Sequence, residues 1–311
     1  MGRVLISFSA VLMAVSSVPA SAATLELEPS SDWTLREYDD RCRIMRKFGE
    51  GEDEVTLWIE KAGAGRFVNM TAIGRPFRNP YGPRIRIAAR PEESIIRGFI
   101  SNTSSTGRPV ISMFGVSLIS FESPEVGEIT QSNDEEAVDL SAGVVEGGAP
   151  LSPQIIEQRY DALQTIELSG ALVQKVSLET GGIATMMEQL QQCADTIPQR
   201  QKNIVEGEVV QRARGAGTEG EREWAQRIQA NYPPYLLRER AQGTVAVRVQ
   251  INPQGRASYC EVTGHTGPAG FNDAACLAML RYSRFQPAKD RNGDPMWGSY
   301  STRITYRLTR G

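Results

Sequence analysis

Gly243-Thr244-Val245-Ala246-Val247-Arg248-Val249-Gln250-Ile251, then Asn252-Pro253-Gln254-Gly255 and Cys260-Glu261-Val262, is the stretch that decides the fold of this 311-residue chain. Val245, Val247, Val249 and Ile251 alternate with Ala246, Arg248 and Gln250, which is the period of a strand with one buried face. Asn-Pro-Gln-Gly is a four-residue turn, so a second strand returns through Cys260 and Val262, which share a face. Upstream, Glu223 to Ile228 has helical spacing, broken by Tyr232-Pro233-Pro234. Downstream, a helix opens at Phe271-Asn272-Asp273. It carries Cys276 and Leu280 on one side and Phe271, Ala275, Ala278 and Tyr282 on the adjoining one, and Pro287 is expected to stop it. A last strand, Ser299 to Leu308, alternates Tyr300, Thr302, Ile304 and Tyr306 with Ser301, Arg303, Thr305 and Arg307.

Tyr232-Pro233, Gly243-Thr244-Val245-x-Val247-x-Val249, Asn252-Pro253-x-Gly255 and Arg284-Phe285-x-Pro287-Ala288, in this order and spacing, resemble the C-terminal domain of the TonB energy-transducer family. The resemblance covers residues 222–311. It implies a three-stranded antiparallel sheet with helices on one face, in the order α-β-β-α-β. It also implies a periplasmic module that grips a short extended peptide of an outer-membrane receptor. The physical mode is β-augmentation, in which an extended partner pairs with an exposed sheet edge. The last strand is the natural edge, so Thr302, Arg303, Ile304, Thr305 and Arg307, together with Tyr232 and Pro233, are the expected partner-binding residues. Arg303 and Arg307 would either attract an acidic partner or simply keep the edge soluble. The chain departs from the family in three ways. It has no membrane helix with a polar histidine motif for coupling to an ExbB–ExbD motor, no long Pro/Lys-rich spacer, and a folded acidic domain of about 170 residues where the family has its spacer. Contact with ExbB–ExbD is therefore expected only if the N-terminal segment is retained as an anchor.

That segment, residues 1–23, reads as a secretory signal. Arg3 precedes a 15-residue apolar run from Val4 to Val18, and Ala20-Ser21-Ala22 fits the small-x-small cleavage pattern. Cleavage after Ala22 or Ala23 and a periplasmic mature chain are expected. A membrane span needs about 20 apolar residues, and this run is broken by Ser16, Ser17 and Pro19.

The remaining length allows two domains, and charge places the boundary. Residues 222–311 carry 13 Lys/Arg against 6 Asp/Glu, whereas residues 24–221 carry 20 against 31. The basic charges are scattered, with no dense run and no aromatic interleaving, which argues against nucleic acid. We therefore divide the chain into an N-terminal β-rich domain (24–195), a polar Gly/Arg-rich linker (196–221) and the C-terminal domain (222–311), a fold of α+β class. Each domain is expected to fold by itself.

In the N-terminal domain, Val55, Leu57 and Ile59 alternate with polar neighbours, and a strand around Cys42 holds Ile44 and Phe48. Gly49 to Asp53 reads as the connection between them, and Ile111 to Phe121 as a further strand. Asn133 to Pro150 is acidic and then Gly-rich, a surface loop. Leu163–Leu168 and Val173–Leu178 form a late strand pair. After it Ile183, Met186, Met187, Leu190 and Cys193 recur at helical spacing and bring Cys193 inward toward Cys42.

Four cysteines in an exported chain favour disulfides, and four allow three connectivities. Two lie in each domain, so Cys42–Cys193 and Cys260–Cys276 is the economical pairing. Chemistry is otherwise sparse. His265 is the only histidine and no Cys-x-x-Cys occurs, so no metal site is expected. Gly-x-Ser-x-Gly, Ser-x-x-Lys and the Lys-Ser/Thr end of a P-loop are absent. No catalytic residue and no cofactor are expected. Three readings are open: a binding protein for a receptor or other envelope peptide, an envelope structural or sensing protein whose N-terminal domain holds the main partner, and a true energy transducer with the signal segment retained as an anchor.

Overall fold

The structure, a computed structural model, describes residues 24–120, 151–203 and 221–308 except 93 and 291. The signal segment, the acidic loop expected at 133–150 and most of the expected linker lie outside the described residues.

The N-terminal half runs β1 (Thr24–Leu27), β2 (Thr34–Glu37), β3 (Cys42–Phe48), β4 (Val55–Lys61), β5 (Val68–Ile73), β6 (Arg84–Arg90), β7 (Ile95–Gly98), β8 (Ile100–Thr103) and β9 (Pro109–Val116). It continues with α1 (Pro153–Asp161), β10 (Thr165–Gly170), β11 (Lys175–Glu179) and α2 (Ala184–Asn203). Two sheets result, a six-stranded one in the order β2-β3-β4-β5-β9-β8 and a five-stranded one in the order β1-β11-β10-β6-β7. Pairing is antiparallel except between β1 and β11. One core joins the sheets. Ile44, Leu57, Ile59 and Met70 of the first meet Ile87, Ile166, Leu168 and Leu178 of the second under Leu190 and Ile197 of α2.

The apolar spacing of α2 lays it on β2, β3 and β4, and the Cys42–Cys193 disulfide pins it there with a Cα–Cα distance of 6.1 Å. Helix α2 continues to Asn203, into the segment read as linker. Strand β9 ends at Val116, and the late strand pair spans 165–170 and 175–179, two residues off the sequence reading at most edges.

The C-terminal half runs α3 (Glu221–Ala230), α4 (Pro234–Arg238), β12 (Gly243–Ile251), β13 (Ala257–Thr266), α5 (Gly270–Tyr282), β14 (Ala288–Lys289), β15 (Pro295–Met296) and β16 (Gly298–Tyr306). The sheet order is β13-β12-β16, antiparallel throughout. Val245, Val247, Val249 and Ile251 face Phe271, Ala275 and Met279 of α5, with Trp224 and Ile228 of α3 closing the same core. Cys260 on β13 joins Cys276 on α5, Cα–Cα 5.5 Å.

Two corrections stand against the sequence. Helix α5 ends at Tyr282, five residues before Pro287. The Ser283 hydroxyl donates to the Met279 carbonyl at 2.6 Å, and Ser283 turns extended. The short α4 and the small β14–β15 hairpin were also not expected; Pro234 at the first turn of α4 suits a helix start, where its missing N–H costs nothing.

Candidate functional site

A three-stranded sheet has two flanks, and here they are treated differently. The flank of β13 is sealed by the N-terminal half. Asn69 of β5, 5% exposed, donates to the Cys260 carbonyl at 2.8 Å and accepts from the Gly115 N–H at 3.1 Å. Gly115 has φ +66, and a Cβ there would fall 2.6 Å from Val262 Cβ, so only glycine lets β9 come this close. The Phe114 N–H is bonded at 2.8 Å to Asp273 of α5. The two cores exchange aromatics: Phe67 packs into the C-terminal core and Tyr259 into the N-terminal one.

The N-terminal half also covers the β13 part of the sheet face opposite α5. Glu261 is 3% exposed, and Gly63 and Gly65 close over it, where Cβ atoms would lie 2.8 and 3.1 Å from its oxygens. Neither Glu261 oxygen has a hydrogen bond among the described residues, and its nearest cation is Arg248 at 3.8 Å. Burial pushes the Glu261 carboxyl up, partly countered by Arg248 and Lys61. Burial pushes Lys61 down in turn. The Gln201 amide of α2 reaches Gln250 of β12 at 3.2 Å.

The flank of β16 is open. Strand β16 pairs with β12 from Gly298↔Ile251 to Tyr306↔Gly243, and no described strand pairs with its other side. A row of backbone donors and acceptors is thus left for an added strand.

The expected site residues fall into three groups. Thr302 and Thr305 are half-buried and Arg303 is exposed along β16, while Ile304, 5% exposed, points into the core. Ile304 therefore offers a partner only its backbone. Arg307 is exposed just past the end of β16. Tyr232 is an aromatic wedge, edge-on to Phe271 and Tyr306 with centroids 5.4 and 5.5 Å away; those two rings stack at 4.6 Å. Its hydroxyl donates to the Ala241 carbonyl. Pro233 precedes α4 and lines a groove of about 460 Å³ with Tyr235, Asp273 and Leu277. Tyr232 thus meets β16 at Tyr306, on the helix side, whereas Arg303 faces the other side with Arg248 and Ser301.

On that other side lies a trough of about 580 Å³. Its floor is Arg248, Gln250, Ser299 and Ser301, and its wall is the Gly63-Ala64 turn with Pro198 and Gln201 of α2. Arg248, Ser299, Ser301 and Asn69 escaped the sequence reading, because an outward residue of an alternating strand reads as solvated whether or not another domain rises beside it. The one hint was Gly63-x-Gly65, which permits close approach.

Among the described residues no cluster of three or more His, Cys, Asp or Glu could hold a metal, and no helix is long and apolar enough to cross a membrane. No curated protein and no solved structure matches the chain. Residues 228–308 match the family model of the Gram-negative bacterial TonB protein C-terminal. This last quarter of the chain, with its β13-β12-β16 sheet under α5, is similar to the TonB C-terminal domain, a match that supports a TonB-like protein linked to envelope transport.

Proposed function

We propose that the protein is a non-catalytic periplasmic binding protein. It holds an extended peptide of an outer-membrane receptor, or of another envelope protein, by β-augmentation on β16. One observation carries this reading: β16 is the sheet flank without a described partner, while Asn69 seals the opposite flank. Main-chain pairing tolerates varied partner sequences and bears a pull along the strand.

Proline substitution tests it. In an antiparallel strand alternate residues direct their N–H groups to the same side. Thr302 and Thr305 differ in parity, so one donates to β12 and the other to the open flank. Thr302→Pro and Thr305→Pro should therefore behave oppositely. The ladder-side variant loses folding, by circular dichroism. The flank-side variant folds but loses calorimetric affinity for peptides selected on the wild type. Undiminished affinity in the folded variant refutes edge pairing.

A further inference from the structure

The trough beside β16 bears on what the peptide must contain. Ser301 stands opposite Arg248 and Ser299 opposite Gln250, and β16 begins with Gly298. The outward side chains of Ser299 and Ser301 at this end of β16 are small, and Trp297 lines the trough beside them. A strand added to β16 would lie about 4.8 Å beyond it and about twice that from β12. Its side chain opposite Ser301 would point to the face that Arg248 occupies, and an extended glutamate and an extended arginine together span that gap.

The charge of Arg248 is poorly neutralised where it stands. Its side chain is 42% exposed, and its sole ion pair among the described residues is with Glu261 at 3.8 Å, too long for a hydrogen bond. Glu261 is enclosed by Gly63 and Gly65 and cannot follow Arg248 outward. The competing negative group is Asp195 in the trough lining, and it is engaged by Gln191 Nε2 at 2.7 Å. Ala64, Pro198 and Gln201 form the wall of the trough opposite the β16 floor, and a charge pair shielded from water by such a wall is stronger than one in bulk solvent.

We propose that the trough is a specificity subsite for an acidic side chain of the peptide, anchored by Arg248 and walled by the N-terminal domain. The proposal rests on edge pairing at β16. In its terms the N-terminal domain is a reader of the peptide as well as a cover for the sheet.

The test uses the full exported chain and a display library of ten-residue peptides randomised at every position. Selection should return peptides with Asp or Glu at one fixed position. Replacing that residue by Gln or Asn in the selected peptide should weaken binding about tenfold or more, the scale of a hydrogen bond to a charged group. Because removing Arg248 alone would strip Glu261 of its nearest cation, the comparison is made in a Glu261→Gln background. There the acidic preference should persist, and adding Arg248→Ala should abolish it, while Arg248→Lys restores part of it. No acidic preference, or one that survives Arg248→Ala, overturns the subsite. If such peptides still lose binding in the flank-side proline variant of β16, edge pairing stands without it. Binding that survives that variant overturns edge pairing itself, and the subsite with it.

Discussion

Asn69→Ala should cost far more than an ordinary polar substitution, because Asn69 serves both halves of the chain at once. Its amide nitrogen donates to the Cys260 carbonyl at 2.8 Å, and its oxygen accepts from the Gly115 N–H at 3.1 Å. Cys260 and Gly115 are both buried, so neither orphaned group regains water freely. Each buried group left unpaired costs about 1–3 kcal/mol, so the pair should cost about 2–6 kcal/mol. That is a large share of the roughly 5–15 kcal/mol that holds a domain folded. Urea unfolding followed by circular dichroism and tryptophan fluorescence measures it. With the halves coupled through Asn69, both probes should shift together to a lower midpoint at unchanged slope. Asn69→Asp is the control. It keeps an acceptor for Gly115 but places a carboxylate against the Cys260 carbonyl, so it should be no better than alanine at neutral pH. A loss below about 1 kcal/mol, or a wild-type-like aspartate variant, would refute the account of the sealed flank. Two separate transitions, only one of them shifted, would show that the halves fold alone.

Two further outcomes are expected beside the proline and Arg248 tests. Burial holds the Glu261 carboxyl above its ordinary value, so the folded protein binds this proton more readily than the unfolded chain. The contribution to stability is therefore greatest below the ordinary carboxylate range and falls as pH rises through the raised folded value; Glu261→Gln should flatten that part of the stability–pH curve, and an unchanged slope would count against it. The Cys42–Cys193 bridge spans 151 residues and Cys260–Cys276 spans 16, which in the chain-entropy model are about 5 and about 3 kcal/mol. Replacing the first pair by serine should lower the denaturant midpoint more than replacing the second, and the reverse order would count against chain entropy as the source.

The sheet that defines the site was legible because its strands are local and regular. Val245 to Ile251 alternate without interruption, and the turn at Asn252–Gly255 fixes the return strand. The disulfides were legible because each half holds two cysteines, one on a strand and one on a helix with matching apolar spacing. The five-stranded sheet was not. Strand β7 has four residues, and β1 pairs in parallel with β11 across some 150 residues, with no local signal for the partner. Glu261 shows the general limit. Its position in the alternation reads as outward, which is correct for its own sheet, yet it is buried because the other half of the chain lies over that face. Phe67 and Tyr259 fail in the same way, each belonging to the core of the other half.

These burials determine how many partners the sheet can take. An isolated three-stranded sheet offers two flanks, and a pair of like molecules can join through either of them. Here Asn69, Gly115 and Val262 occupy one flank, and Glu261 and Tyr259 anchor the N-terminal half on the face beside it. The flank left over is β16, and its serine end opens into the trough that the same N-terminal half walls. A domain that merely shielded the sheet would have no need to stop short of Ser299 and Ser301. Its boundary leaves Arg248 partly exposed while enclosing Glu261, the only carboxylate among the described residues paired with it. On the proposed edge pairing, the same packing leaves the module one flank for a strand partner and places Arg248 beside it.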